Sequence, residues 1–188
     1  AELVKLGVRV SMGHSAATAE DARCAVRAGA VGATHLFNAM SQLTGREPGV
    51  VGAALDDADS WCGIIVDGHH VAPAVLRIAL RCKRLDRFML VTDAMPSVGT
   101  DEKSFQLQGR TISAANGMLV DEEGTLAGSD IDMATTVHNA VELLGVNLVQ
   151  AVRMASQYPA EFLRLGGELG RIAPGYRANL ALVDDALD

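Results

Sequence analysis

Four short apolar runs mark the first half of this chain, and each carries a titratable side chain at or near its end. They are VRVSMGHS (Val8–Ser15), VGATHLF, WCGIIVDGHH and RFMLVTDAM. The runs recur every 20 to 35 residues or so, with helical patterns in most of the intervals. Buried strands that alternate with helices are typical of βα units, whose strands form a parallel sheet. The repetition therefore predicts an α/β fold built on four parallel strands.

The helices between these strands carry their own boundary signals. Thr18 and Asp21 form a capping-box pattern, and Gly29 stands where that helix should end. Pro73 occupies the first turn of the helix APAVLRIALRCK, where proline is tolerated. The second strand differs, because a long loop after His35 replaces or precedes its helix.

The pattern changes after the fourth strand. Alternating runs around the Asn116–Gly117 turn signal predict an antiparallel β-hairpin insertion at about 104–128. Two helices should follow, Asp132–Leu144 and a second one starting at Leu148 and capped by Asn147. The tail GRIAPGYRANLALVD predicts two short strands around a Pro-Gly turn.

Composition excludes several classes of function. A net charge of −7 disfavours nucleic-acid binding, which needs basic patches, and an aromatic content of 4% offers few surfaces for stacking bases. No apolar run approaches the roughly 18 residues of a membrane span, and no signal peptide is evident. The three cysteines, Cys24, Cys62 and Cys82, lack CxxC spacing and predict packed, reduced thiols in a cytoplasmic protein.

The chemistry lies at the strand ends. His14 ends the first run, His35 the second, Asp67 and His70 the third, and Asp93 the fourth. The carboxyl ends of parallel strands form the face where α/β proteins bind ligands. Two imidazoles and a carboxylate there can hold a divalent metal such as zinc, which lowers the pKa of bound water to about 7. A nearby carboxylate can then act as a general base.

Each residue taken alone also has a structural interpretation. A strand-end histidine is more often hydrogen-bonded than a ligand, and Asp67 with Gly68 could form only a turn. Arg46 alone would be a solvated surface cation, and His138 lies in an amphipathic helix. His69 and His70 would face opposite sides of a strand, so at most one reaches a shared site. Repetition at corresponding positions of four strands favours the site.

Six motifs, in this order and spacing, resemble a known family. The segments GHSAAT, THLFNAM, TGREPG, DGHHV, VTDAM and GTLAGS are similar to those of N-acetylglucosamine-6-phosphate deacetylases of the amidohydrolase superfamily. The resemblance implies a (β/α)8 TIM barrel with a small β-sandwich. Residues 1–165 would supply barrel strands five to eight, and residues 166–188 would supply strands of the sandwich.

The resemblance also implies roles for individual residues. His14 and His35 would be metal ligands, and Asp93 would be the catalytic acid/base, with His70 orienting or polarising the acetamido carbonyl. The other substrate-binding positions are Asn38, Ala39, Arg46, Asp67, Gly68, His69, Leu126, Ala127 and Gly128. Asn38, the Ala39 backbone and Arg46 would bind the sugar phosphate. The metal would be zinc, or alternatively iron, manganese or cobalt, and the family's glutamate ligand is expected upstream of Ala1.

The resemblance implies hydrolysis of N-acetylglucosamine 6-phosphate to glucosamine 6-phosphate and acetate. Two alternatives stay open, a cyclic-amide hydrolase on the same barrel and a fragment without turnover. The Arg46 loop disfavours the first alternative, because a neutral cyclic amide offers no phosphate to bind. Four strands cannot close a barrel of eight, so we expect a homo-oligomer.

Overall fold

A four-stranded parallel sheet forms the centre of the computed structural model, which describes residues 1–115 and 118–184. Its strands are β1 (Val10–Met12), β2 (Ala30–Ala33), β3 (Trp61–Ile64) and β4 (Phe88–Leu90). They lie side by side in the order β1-β2-β3-β4, and every neighbouring pair is parallel. The α/β architecture predicted from the repetition is confirmed.

Backbone pairing continues past the ends of these strands toward the carboxyl edge of the sheet. The Thr34 N–H donates to the Met12 carbonyl at 2.8 Å, and the Leu36 N–H donates to the Gly63 carbonyl at 2.7 Å. The N–H of Val91 likewise donates to the carbonyl of Ile64 at 3.0 Å. These bonds hold the segments that carry the strand-end histidines in register with the sheet.

Helices follow the strands and cover the sheet. They are α1 (Glu2–Lys5), α2 (Ala19–Arg27), α3 (Gly49–Asp56), α4 (Pro73–Cys82), α5 (Met133–Leu144), α6 (Leu148–Ala155) and α7 (Gln157–Phe162), with a 3₁₀ turn at Leu85–Arg87. The Thr18–Asp21 capping box is present as predicted, and Asp132 and Asn147 cap α5 and α6 through their side chains. The helix expected from Leu148 onward is interrupted at Ser156, which separates α6 from α7.

The loop after His35 leads into α3 rather than replacing a helix. Seven of the eight residues of α3 are buried. A helix buried on all sides shows no 3.6-residue alternation of polar and apolar positions, so its periodic signal is absent from the sequence.

The core lies between the sheet and its helices. Its fully buried members include Cys62, Ile64 and Phe88 from the strands, with Leu76 of α4 and Met154 of α6. Burial of such side chains stabilises the fold by about 1.5–3 kcal/mol each. Cys62 is packed as predicted, whereas Cys24 and Cys82 are exposed, contrary to the expectation of mostly packed thiols.

A second, antiparallel sheet follows β4. Its strands are β5 (Ser104–Leu107), β6 (Arg110–Ala115), β7 (Met118–Val120) and β8 (Leu126–Ser129), in that order. The insertion spans almost the predicted range but has four strands rather than the two of a hairpin. The Asn116–Gly117 turn lies outside the described residues. A bridge between Ala94 and Ser129 brings β8 back to the segment that follows β4.

The tail departs from the prediction. The turn forms, with Gly175 at φ 86° and a 3.1 Å bond from the Tyr176 N–H to the Ala173 carbonyl. The two flanking strands do not form within the described residues 171–184, and Ile172 and Leu182 are 89% and 99% exposed. A strand exists only when a neighbouring backbone pairs with it, and no other described segment lies beside this tail in a ladder. Within the described residues, none of the helices is long and apolar enough to cross a membrane.

Candidate active site

His14 and His35 meet at the carboxyl edge of the parallel sheet. Each follows its strand by two residues, and their rings lie edge to face with centroids 4.9 Å apart. Both have left-handed backbone, with φ 44° at His14 and φ 28° at His35. Such values are uncommon for residues other than glycine and persist only where the surrounding structure imposes them. The ends of β1 and β2 therefore bring the two imidazoles together at the edge of the sheet.

The His35 ring fits a metal ligand. The residue is only 9% exposed, and its Nδ1 atom is buried without a hydrogen-bond partner among the described residues. A buried polar nitrogen left unpaired is costly unless another group satisfies it. A divalent cation shared with His14 would do so, because neutral imidazole is a common zinc ligand.

The described residues supply no more than part of such a centre. Within residues 1–115 and 118–184, no group of three or more His, Cys, Asp or Glu side chains is arranged to hold a metal ion. The two imidazoles thus fit two ligand positions of such a centre.

Asp93 lies at the same edge of the sheet, three residues after β4. It is exposed and is a third strand-end residue with left-handed backbone, at φ 54°. Its carbonyl accepts a 2.9 Å bond from the Ser129 N–H, and the Ser129 carbonyl accepts a 3.1 Å bond from the Met95 N–H. The structure thus places the end of β8, with Gly128 and Ser129, beside the predicted acid/base, while Leu126 and Ala127 form the start of the same strand.

Gly128 makes this close approach possible. Its φ is 90°, and a Cβ built on it would lie 2.5 Å from Met95 Cγ and 3.0 Å from the Asp93 carbonyl oxygen. Only glycine combines that backbone conformation with that contact. This residue therefore sets the distance between β8 and the Asp93 backbone.

Asp67 and His70 form a nearly buried pair after β3. His70 Nδ1 lies 2.6 Å from Asp67 Oδ2, and the two side chains are 5% and 4% exposed. Asp67 Oδ1 accepts 2.9 Å bonds from the N–H groups of His69 and His70. Burial alone would raise the pKa of Asp67, but the hydrogen bonds from the His70 ring and from these two N–H groups hold that pKa at about 2.

Gly68 and His69 form the exposed part of this turn. Gly68 has φ 79°, and both residues are exposed, whereas His70 is half-buried as a residue. β3 ends at Ile64, so His69 and His70 lie on a turn rather than on a strand. The two histidines differ in exposure, but this difference arises from the turn and not from the alternation along a strand that the sequence predicted.

The loop after His35 borders an open cleft of about 450 Å³. The cleft is lined by His14, Ser15, Ala16, Ala39, Met40 and Ser41. Asn38 lies beside it, and its amide nitrogen lies 3.2 Å from the His35 carbonyl and 3.3 Å from the Leu36 carbonyl. The Ala39 carbonyl accepts a 2.9 Å bond from the Ser15 N–H. These bonds link Asn38 and Ala39 to the segments that carry the two histidines.

Arg46 lies in the same loop with its charge available. It is exposed, and no hydrogen bond or ion pair to it occurs in the described part of the chain. Its neighbour Glu47 instead accepts bonds from the N–H groups of Ala19, at 2.8 Å, and Gly49, at 2.9 Å, which lower the pKa of that carboxyl. The loop is therefore anchored to the start of α2 by Glu47, while Arg46 remains free to bind an anion.

Asn139 is a supporting residue that the sequence did not indicate. From α5 its amide donates a 2.8 Å bond to the carbonyl of Val66, the residue before Asp67. The partners are 73 positions apart. The only signal in the sequence is a polar residue inside an amphipathic helix, which does not identify a partner.

Comparisons with known proteins agree with this arrangement. The model of the amidohydrolase family matches residues 1–188. An N-acetylgalactosamine-6-phosphate deacetylase of Shewanella sp. (strain ANA-3) is 45% identical over 97% of this chain and 46% of its own length. An N-acetylglucosamine-6-phosphate deacetylase of Haemophilus influenzae is 43% identical over 96% of this chain and 48% of its own length.

A solved structure of N-acetylglucosamine-6-phosphate deacetylase from Pasteurella multocida superposes with a TM-score of 0.96 at 41% identity. It covers 100% of this chain, which corresponds to 49% of that protein. The chain thus spans about half the length of these relatives. The family model matches the chain along its whole length, and the fold is that of a solved deacetylase. The chain therefore belongs to the amidohydrolase family.

Proposed function

We propose that the protein containing this chain is a metal-dependent deacetylase that hydrolyses the acetamido group of N-acetylglucosamine 6-phosphate to glucosamine 6-phosphate and acetate. The observation that carries this proposal is the His14–His35 pair at the sheet edge, with a buried ring nitrogen that lacks a partner among the described residues. The names of the relatives support the substrate class.

His14 and His35 are the residues that would hold the divalent ion, with zinc first and iron, manganese or cobalt as alternatives. When bound, such an ion makes hydroxide available at neutral pH and polarises a carbonyl oxygen. The chain's own contribution is to turn two imidazoles toward each other on a rigid sheet.

Asp93 is the acid/base in this proposal. Its exposed carboxylate can accept a proton from the attacking water and return it to the departing amino nitrogen. His70 donates a hydrogen bond to the acetamido carbonyl. The turn at Gly68 and His69 and the segment Leu126–Gly128 border the sugar.

Arg46 binds the phosphate, together with Asn38 and the Ala39 backbone. A guanidinium matches the geometry of phosphate through two parallel hydrogen bonds. A free arginine on an anchored loop is of no use to a neutral cyclic amide, which makes a cyclic-amide hydrolase the less favoured candidate. We further propose a homo-oligomeric, cytoplasmic enzyme.

The test is acetate release by the complete protein loaded with zinc. We expect turnover of N-acetylglucosamine 6-phosphate and little of the unphosphorylated sugar. N-acetylgalactosamine 6-phosphate belongs in the same assay, because relatives are named for each epimer. A kcat/KM that favours the galacto epimer would contradict the proposed substrate, and no release from either sugar phosphate would contradict the proposed reaction.

The catalytic role of Asp93 can be tested in the same assay. Asp93→Asn should lower kcat by about 10²–10⁴-fold, the usual contribution of general acid–base catalysis, with substrate binding kept. Asp59→Asn is the matched control, because Asp59 is also exposed but precedes β3, at the opposite edge of the sheet. Near-normal turnover in the Asp93 variant would remove Asp93 from the mechanism.

A further inference from the structure

We propose that Asp67 is a positioning residue that fixes a proton on His70 Nδ1 and leaves Nε2 as the ring nitrogen that meets the substrate. This role replaces the sequence-based expectation that Asp67 itself lines the sugar pocket. The role in catalysis rests on the function proposed above, whereas the placement of the proton can be tested without it.

The first support is that, among the described residues, the hydrogen bonds of the Asp67 carboxylate all lie within the turn. Oδ2 lies 2.6 Å from His70 Nδ1, and Oδ1 accepts 2.9 Å bonds from the N–H groups of His69 and His70. These contacts engage both oxygens of the carboxylate. Its geometry suits holding the imidazole and does not suit binding a sugar.

The second support is the ionisation of the carboxyl. With a pKa of about 2, Asp67 is ionised at neutral pH. An ionised carboxylate can only accept hydrogen bonds, so the proton between the two side chains belongs to Nδ1. The tautomer of a histidine is commonly set in this way by the partner of its other nitrogen.

The position of this proton limits how His70 can act on the substrate. With Nδ1 committed to Asp67, Nε2 is a hydrogen-bond acceptor in the neutral ring and a donor only in the imidazolium. A carbonyl oxygen needs a donor, so Nε2 can polarise the acetamido group only in a ring that carries a proton on both nitrogens. The adjacent Asp67 carboxylate holds the ring in place in either case.

A side chain of α5 holds the segment that precedes the Asp67–His70 pair. Asn139 of α5 donates a 2.8 Å bond to the carbonyl of Val66, which precedes Asp67. Ile65 and Val66 are fully buried between β3 and this turn. The turn that carries the pair therefore starts from a rigid strand end, as a positioning device requires.

The direct test is ¹⁵N NMR of the ring nitrogens in the complete protein labelled at histidine, with His70→Gln used to assign the signals of His70. We expect the proton on Nδ1 in the wild type. In Asp67→Asn the amide oxygen can keep the two backbone bonds while the amide nitrogen donates to Nδ1, so the proton should move to Nε2. A wild-type ring protonated at Nε2 alone, or signals unchanged in Asp67→Asn, would overturn the proposal.

Kinetics of the same variant separate positioning from general stabilisation. Asp67→Asn should lower kcat by about 10- to 100-fold, as loss of a supporting hydrogen bond typically does, with KM changed much less. The control is Asp121→Asn, because Asp121 is also 4% exposed and accepts bonds from the backbone N–H groups of Glu123 and Thr125 and from Arg110, without contacting a histidine.

An equal loss of kcat in the two variants, or a change confined to KM, would contradict positioning. A protein that shows the expected movement of the proton but hydrolyses neither sugar phosphate would support the Asp67–His70 pairing and contradict the proposed function. The two failures are therefore distinguishable.

Discussion

His14, His35 and Asp93 share a backbone conformation that residues with a side chain seldom adopt, with φ between 28° and 54°. Each such residue costs on the order of 1–3 kcal/mol and persists only when its surroundings determine it. All three follow strands of the parallel sheet, at the edge predicted to bind a ligand. Strain of this kind at three corresponding positions is typical of residues selected for chemistry rather than for stability.

Arg46 gives the sharpest test of phosphate recognition. Arg46→Ala in the complete protein should weaken binding of N-acetylglucosamine 6-phosphate by about 1.5–3 kcal/mol, the range for a bond to a charged group, and should barely affect the unphosphorylated sugar. Inhibition constants for both sugars measure this difference. Arg81→Ala, an exposed arginine of α4, is the control. Equal losses for the two sugars would show that Arg46 does not bind phosphate.

Asp67 also predicts a dependence of stability on pH. Its pKa is lowered in the folded chain to about 2, below the value near 4 in an unfolded chain. A lowered carboxyl pKa stabilises the fold above the unfolded value, and that contribution disappears as pH falls from about 4 through 2. Asp67→Asn should therefore be less stable than the wild type at pH 5–7, with a smaller difference below pH 4. Urea unfolding across this range measures it, and a difference independent of pH would contradict the assignment.

The decisive contact between elements is the return of β8 to the segment after β4. Bonds of 2.9 and 3.1 Å join Ser129 to Asp93 and Met95. The Ser129 hydroxyl adds a bond to the Thr92 carbonyl. The antiparallel sheet is therefore attached where the predicted acid/base lies, and the attachment brings Gly128 against the Asp93 carbonyl.

Substitution of Gly128 tests this attachment. Gly128→Ala places a methyl group against Met95 and the Asp93 carbonyl in addition to straining the backbone. We expect a loss of about 1–3 kcal/mol in the free energy of unfolding and a lowered kcat, because the Asp93 backbone must move.

Gly124→Ala is the matched control for this substitution. Gly124 has φ 81°, similar to the 90° of Gly128, but a Cβ there meets nothing within 4 Å. Gly124→Ala should lower the free energy of unfolding in urea, because its backbone is strained, but should leave kcat unchanged. An equal kcat in the two variants would show that the close approach of Gly128 to Met95 and the Asp93 carbonyl does not affect catalysis.

At the scale of the whole molecule, the parallel sheet is a partial barrel. β1 and β4 lie at the two ends of the strand order in the described residues. The superposition on a deacetylase structure, with a TM-score of 0.96 over 49% of that protein, confirms the amidohydrolase barrel as the fold. Four strands do not close such a barrel, so both edge strands keep unpaired backbone groups.

Self-association of the 188-residue chain by itself is therefore expected. The chain also carries apolar residues that are largely exposed to water, such as Leu6 (78%), Ile172 (89%) and Leu182 (99%). Leaving such surface in water costs about 25 cal/mol per Å². Light scattering over a dilution series should show dimers or larger species that dissociate on dilution. A stable monomer at micromolar concentration would contradict the expectation.

The sequence by itself determined the features that depend on near neighbours along the chain. The capping box of α2, the first-turn proline of α4 and the Asn147 cap of α6 all appear as predicted, because each needs contacts within three or four residues. The repetition of strands likewise placed His14, His35, His70 and Asp93 at one edge, because parallel strands end on the same side.

Only the tertiary structure decided what depends on distant partners. It showed α3 as a helix that lacks a periodic signal because it is buried, and it showed no strands in the described part of the tail, residues 171–184, since strands require a pairing backbone. It also joined Asn139 to Val66 across 73 residues and engaged Asp67 fully within its own turn. Burial, pairing and the direction of a side chain at a turn arise from packing between segments, and the identities of neighbouring residues do not specify them.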